Sequence, residues 1–250
     1  MREKEKYKYG LVGRNISYSF SRSYFKAKFE KEGITNSEYV NFDIEILEEF
    51  PNLLANDGNI KGFNVTIPYK ESVRKYVDFI AKDAEAIGAI NTIKVLTNKK
   101  LKGYNTDVYG FELALKLKLK NTHKKALIFG TGGASKAVIY VLKKLKIPYL
   151  LVSRNPKENQ IHYTAINEEL LKEYTLLINT TPLGTYPKTN ELPKIPYKHL
   201  TPTHYLFDLV YNPPLTAFLK QGKAQGSVIQ NGLKMLEYQA EKAWEIWQEK

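Results

Sequence analysis

The chain has 250 residues, of which 43% are apolar and 26% charged, so it suits one large domain or two modest ones, each with a buried core. Its lack of cysteine excludes disulfides, thiolate metal sites and cysteine nucleophiles, and no apolar run is long enough to span a bilayer. The formal net charge of +12 suits nucleic acid or anionic small ligands, but the lysines are spread along the chain, as on solvated helix faces, which disfavours a nucleic-acid surface.

Met1–Lys6 mixes both charges and leads into no apolar signal core, so a cytoplasmic protein is expected. Tyr7–Gly13 reads as a first strand. Tyr24, Phe25 and Phe29 give Ser21–Lys31 helical spacing, stopped by Gly33. Glu38–Phe42 reads as a second strand, followed by a short helix through Ile46, Leu47 and Phe50. Gly62–Ile67 is a third strand, and Pro68 suits the first turn of a helix running toward Tyr76. Asp83–Gly88 offers a turn or two of helix. Ile90–Leu96 and Leu101–Tyr104 read as a hairpin across Thr97–Lys100.

After Asn105 the pattern changes. Val108–Leu119 reads as a long helix and Ala126–Phe129 as a wholly apolar strand buried on both faces. A helix over Ser135–Leu145, a strand over Tyr149–Val152 and further strands at Leu176–Asn179 and Tyr205–Val210 follow. The prolines from Pro182 to Pro202 mark an irregular connection, and Asn231–Gln248 carries the apolar stripe of a last helix. Alternating strand and helix predicts an α/β chain whose second half is a doubly wound parallel sheet.

Two groups of residues carry chemistry. Gly130-Thr131-Gly132-Gly133-Ala134-Ser135 lies between a buried strand and a helix, where glycines let backbone N–H groups approach a pyrophosphate. Ser135 stands where the usual pattern has its third glycine. At the end of the next strand, where an NAD site has a carboxylate for the ribose, the chain has Ser153-Arg154-Asn155, with Lys157 close by. A guanidinium without an acid favours the 2′-phosphate of NADP. The second group gathers at predicted strand ends and helix starts: Ser19, Ser21, Asn64, Thr66, Lys70, Asn91 and Asp107. Each alone is explained by capping or exposure. Jointly they suit a hydroxylated substrate beside a dinucleotide, with a lysine and a carboxylate to manage the proton that accompanies hydride transfer to a ketone.

These residues resemble the shikimate dehydrogenase family. The likeness rests on Gly13–Ser21, Asn64-Val65-Thr66-Ile67-Pro68-Tyr69-Lys70, Gly88–Thr92, Asn105-Thr106-Asp107, the Gly130–Ser135 turn, and Gly232-Leu233 with Met235 and Gln239. It implies a substrate-binding domain over residues 1–105, completed by a C-terminal helix over 231–250, and a Rossmann-like NADP domain over 106–230. It implies interconversion of 3-dehydroshikimate and shikimate, as in aromatic amino acid and chorismate biosynthesis. By the same likeness Lys70 and Asp107 are the catalytic pair. Ser19 and Ser21 hold the substrate carboxylate, and Asn64, Thr66, Asn91, Asp107 and Gln239 hold ring hydroxyls. Tyr211 is the substrate-side tyrosine. Gly130, Gly132, Gly133, Ala134, Ser153, Arg154, Asn155 and Gly232 serve NADP, and no metal is implied.

The chain departs from the family where Asn15, Tyr18 and Arg22 replace its usual Pro, His and Pro, and where Ser153 and Asn155 flank the arginine. The alternatives are a quinate or dual shikimate/quinate dehydrogenase using NAD, and a non-catalytic sensor of the same ligand. The expected partners are the small-molecule substrate alone, without specific nucleic acid or membrane, in a monomer or homodimer.

Overall fold

The computed structural model describes residues 6–17 and 19–249. The chain divides into two compact units, one reaching to Thr106 and resuming at Ala240, the other covering Asp107–Gln239.

The first unit contains β1 (Tyr7–Gly13), α1 (Phe20–Glu32), β2 (Ser37–Asp43), α2 (Phe50–Asn56), β3 (Ile60–Val65), β4 (Phe79–Ile80), α3 (Lys82–Ile87), β5 (Thr92–Val95) and β6 (Leu101–Tyr104). Its six-stranded sheet has the order β2-β1-β3-β5-β6-β4. β1 runs parallel to β2 and β3, and the β5–β6 hairpin joins through β5, which is antiparallel to β3. One sheet face is covered by α1 and by the residues from Ala240 onward: Phe25, Phe29, Tyr39, Ala243, Ile246 and Trp247 share one apolar cluster. Phe25 stacks on Tyr39 with ring centroids 4.4 Å apart. Gly33 ends α1 in the left-handed conformation at φ +65, which glycine adopts without a Cβ penalty.

The helix expected from Pro68 does not form; only a 3₁₀ turn over Ser72–Tyr76 does. Two bonds explain this. The buried Tyr69 donates its hydroxyl proton to the Glu45 carbonyl at 2.6 Å, tying the segment to the end of β2. The Lys70 carbonyl accepts from Ile90 N–H at 2.7 Å, so it is lost to a helical ladder.

The second unit opens with α4 (Thr106–Lys116), whose first residue still belongs to the first unit, followed by β7 (Ala126–Phe129), α5 (Gly133–Lys144), β8 (Tyr149–Ser153) and β9 (Gln160–His162). Then come α6 (Glu168–Glu173), β10 (Leu176–Asn179), β11 (Tyr205–Asp208), α7 (Ala217–Ala224), β12 (Val228–Gln230) and α8 (Leu233–Gln248), which crosses into the first unit at Ala240. Its sheet order is β12-β11-β10-β7-β8-β9, with every recorded pairing parallel. This is the doubly wound order of dinucleotide-binding sheets: the chain moves outward through β8 and β9, then returns to lay β10 on the other side of β7. The turns after β7 and β10 therefore flank the switch point.

Short elements escape the sequence reading: β4, β9, β12, α6 and α7 were not expected. Among the described residues no helix is long and apolar enough to cross a membrane.

Candidate active site

The glycines after β7 differ in what requires them. Gly130 has φ +103, and a Cβ there would lie 2.8 Å from Thr180 Oγ1 and 2.9 Å from Thr181 Cγ2. It permits both a left-handed backbone and close approach of the turn after β10. Gly132 and Gly133 face open space, where an added Cβ meets nothing within 4 Å. Both are exposed at the N-terminus of α5, with Thr131 and Ala134. Ser135 is buried and turns its hydroxyl back to the Gly132 carbonyl at 2.7 Å, so the position of the usual third glycine makes a local turn bond. The first N–H groups of a helix have no intrahelical partner and carry its positive dipole end, so this bare stretch fits a pyrophosphate.

β8 brings its own end beside that turn: Gly130 N–H donates to the Val152 carbonyl at 3.0 Å. Arg154 follows two residues later, exposed like Lys157, while Ser153 Oγ accepts from Asn155 N–H at 3.2 Å and closes the turn. Arg154 where an NAD site carries its carboxylate fits a phosphorylated ribose. Gly232 stands apart from these glycines. A Cβ there would overlap the Leu209 carbonyl, so backbone crowding accounts for it. Tyr211 follows β11, half-buried, and Gln239 lies on α8 with its amide donating to the Leu236 carbonyl at 3.0 Å.

In the first unit the structure joins several predicted residues through one buried polar chain. Ser21 and Tyr39 are both buried. Tyr39 donates its hydroxyl proton to Asn64 Oδ1 at 2.8 Å. Asn64 Nδ2 donates to Thr92 Oγ1 at 3.1 Å and to the Asn91 carbonyl at 3.3 Å. Asn91 Oδ1 accepts from Thr106 N–H at 2.7 Å and so holds the residue at which α4 starts, next to Asp107. Asp107 lies in the first turn of that helix, where a carboxylate is favoured by the dipole. Lys70 is half-buried beyond β3, and Thr66 N–H donates to the Val12 carbonyl at 2.9 Å.

Ser19 is the N-cap of α1, accepting from Ser21 N–H at 3.2 Å, which leaves its hydroxyl proton for an acceptor. The approach to it explains one departure from the family. Asn15 takes the left-handed region at φ 57, and the Asp43 carboxylate accepts from the N–H of Asn15 at 2.8 Å and of Ile16 at 3.2 Å. A proline could supply neither that φ nor that N–H. Arg22 is exposed and lines a groove of about 490 Å³ with Lys26, Phe29, Ile34 and Tyr39. Tyr18 lies outside the described residues.

Two groups were missed in the sequence. Tyr39 is buried, and burial drives its phenol well above the usual tyrosine range, so it serves as a neutral hydrogen-bonding group. Asp208, wholly buried at the end of β11, accepts from Asn179 Nδ2 at 2.9 Å, Val210 N–H at 3.0 Å and Thr216 Oγ1 at 2.5 Å. Burial pushes its carboxyl up to about 6 against these three donors. An aspartate closing an otherwise apolar strand was the available signal for the second; nothing in the sequence pairs Tyr39 with Asn64.

The chain is similar to known proteins over most of its length. Residues 11–93 match the family model described as the shikimate dehydrogenase substrate binding domain. A "Shikimate dehydrogenase (NADP(+))" of Caldanaerobacter subterraneus subsp. tengcongensis is 38% identical over 96% of this chain and 90% of its own length. Among solved structures, a shikimate dehydrogenase in complex with NADP+ is 34% identical with a TM-score of 0.85, covering 98% of this chain and 90% of its own. The shikimate 5-dehydrogenase of Thermus thermophilus, in complex with NADP(H) and shikimate, is 29% identical with a TM-score of 0.83, covering 96% of this chain and 93% of its own.

Proposed function

The chain belongs to the shikimate dehydrogenase family, and from that membership we propose that it reduces 3-dehydroshikimate to shikimate with NADPH, reversibly. The observation that carries the reading is the bare glycine turn at the head of α5, with Arg154 and no acid at the end of the neighbouring strand. When bound, NADPH supplies the hydride. The N–H groups around Gly132 and Gly133 bind its pyrophosphate, and Arg154, aided by Lys157, binds the 2′-phosphate; Ala134, Ser153, Asn155 and Gly232 complete the cofactor set.

Ser19 and Ser21 bind the substrate carboxylate. Asn64, Thr66, Asn91, Tyr211 and Gln239 orient the ring through its hydroxyls. Lys70 holds the proton destined for the reacting oxygen or stabilises the charge that develops there, and Asp107 is the carboxylate of the catalytic pair. The domains act as a substrate-binding part, residues 1–105 with 231–250, and a cofactor part, residues 106–230. We read the protein as a cytoplasmic monomer or homodimer.

The test is absorbance at the reduced nicotinamide band with four pairs: shikimate or quinate, each with NADP+ or NAD+. Turnover is expected to be highest with shikimate and NADP+. A clear win for quinate with NAD+ would overturn the substrate and cofactor assignment, and no turnover with any pair, beside measurable shikimate binding, would favour a sensor.

A further inference from the structure

The carboxylate of Asp208 lies at the end of a strand the proposed chemistry does not use, yet it is wholly buried and points its two oxygens along two different routes. Oδ2 accepts from Thr216 Oγ1, which also accepts from Leu219 N–H at 3.3 Å and so caps α7. Oδ1 accepts from Asn179 Nδ2, and this second route leads to the glycine turn. With its nitrogen committed to Asp208, Asn179 must present Oδ1 to the following turn. That oxygen accepts both from Thr181 N–H at 3.1 Å and from Thr181 Oγ1 at 2.6 Å. The adjacent Thr180 donates its N–H at 2.9 Å and its hydroxyl at 2.8 Å to the Phe129 carbonyl at the end of β7. Thr180 and Thr181 are the residues that a Cβ on Gly130 would strike. A continuous line of bonds thus runs from β11 across β10 to β7, over the switch point of the sheet.

We propose that Asp208 is a positioning residue for the dinucleotide cradle, fixing through Asn179 the Thr180–Thr181 turn against which Gly130 packs. It touches no ligand. It settles which end of the Asn179 amide faces Thr181, because a carboxylate accepts and cannot donate. Asparagine at 208 places an amide where three donors converge. Where its nitrogen meets the Asn179 amide, that side chain turns over or loses its partner, which frees the turn beneath Gly130, and the glycine N–H groups lose their fixed aim.

The inference rests on the reading of Gly130–Gly133 as the NADP cradle, so the experiment tests both separately. Dissociation constants for NADP+ and, separately, for shikimate are measured by titration calorimetry, together with melting temperatures. Asp208→Asn, and Thr181→Val at the half-buried end of the line, are expected to weaken NADP+ binding about tenfold, equal to about 1.4 kcal/mol. Shikimate affinity should stay within about twofold of the parent, within the spread of additive, uncoupled sites. Thr181→Ser keeps the hydroxyl and should restore parental NADP+ binding. Thr216→Val cuts only the α7 route; it should lower the melting temperature and leave NADP+ affinity in place. Weakening by Thr216→Val equal to that by Thr181→Val would make Asp208 a general stabiliser and overturn the proposal. So would unchanged NADP+ affinity in Thr181→Val beside clear weakening in Gly132→Asp, an outcome that leaves the cradle standing. Unchanged affinity in Gly132→Asp as well would remove the cradle reading and the proposal together.

Discussion

Asn64 has an amide whose two ends have nearly the same shape, and its neighbours decide which end faces where. The Asn91 carbonyl can only accept, so Nδ2 is turned toward it and toward Thr92, and Oδ1 is left to accept from the Tyr39 hydroxyl. Tyr39→Phe keeps the ring stack on Phe25 and deletes only that donor. A buried acceptor left without a partner costs about 1–3 kcal/mol, and the amide loses the bond that holds its oxygen end. The expected outcome is a rise in the shikimate KM with a smaller change in kcat and an unchanged KM for NADP+, measured by steady-state kinetics. Lys70→Ala should behave in the opposite sense. A group that handles the proton in the transition state contributes about 10²–10⁴-fold, so kcat should fall by a factor in that range while KM moves little. A kcat within about twofold of the parent would remove Lys70 from that role, since even modest acid–base assistance exceeds it. Asn15 shows how a departure from a family pattern becomes intelligible at this scale: the left-handed backbone and the two N–H groups held by Asp43 are uses that proline cannot serve.

Among the elements, α8 is the one whose sequence says most about its packing. Its second half buries Ala240, Ala243, Ile246 and Trp247 against β1, β2 and α1. Trp247 stacks on Tyr9 at 4.9 Å and donates its indole N–H to the Ile93 carbonyl at 3.0 Å. Gly62 on β3 is bare because a Cβ there would enter the indole. Trp247→Ala leaves a cavity and deletes the indole donor, and should lower stability by about 3–5 kcal/mol in urea unfolding. A loss below about 1 kcal/mol would show that the first unit closes without this helix, since it falls under the usual cost of emptying such a site. The stripe from Leu233 to Trp247 was legible because a sixteen-residue helix repeats one period. The same holds for β7, a four-residue apolar run between turn signals, and for α1 and α5. β4, β9 and β12 have two or three residues, too few for any period to register, and exist because a neighbouring strand offers bonds. The glycine turn was legible because glycine reports backbone need directly. The Asp208–Asn179–Thr181 line was not, since its members lie on different strands and meet only through the parallel register of β10 and β11.

For the molecule as a whole, acid should be destabilising from near neutrality, and the sign follows from three buried groups. His123 and His204 are both buried in the second unit, where burial lowers their basicity below the ordinary 6.5. His123 Nδ1 accepts from Lys120 N–H at 2.9 Å, and His204 Nδ1 accepts from Thr201 N–H at 3.0 Å, so each is held as neutral imidazole. A group that binds its proton less readily folded than unfolded gives stability that is present above the unfolded value and lost as pH falls below it. Both histidines therefore cost stability as pH drops through 6.5. Asp208 acts in the other direction. Its folded value of about 6 exceeds the ordinary 3.8, so the folded state takes up its proton first and gains stability as pH falls from about 6. Two groups oppose one, and the two begin earlier. Urea midpoints should be flat from about pH 8 to 7 and should fall between about pH 6.5 and 5.5. His123→Asn keeps an acceptor for Lys120 N–H and removes one titrating ring, so its midpoint should fall less over the same interval. Asp208→Asn removes the offset and should steepen the fall. A wild-type midpoint constant from about pH 7 to 5.5, or an equal fall in all three proteins, would show that these buried groups bind protons alike in the folded and unfolded chain, and the linkage argued from burial would fail.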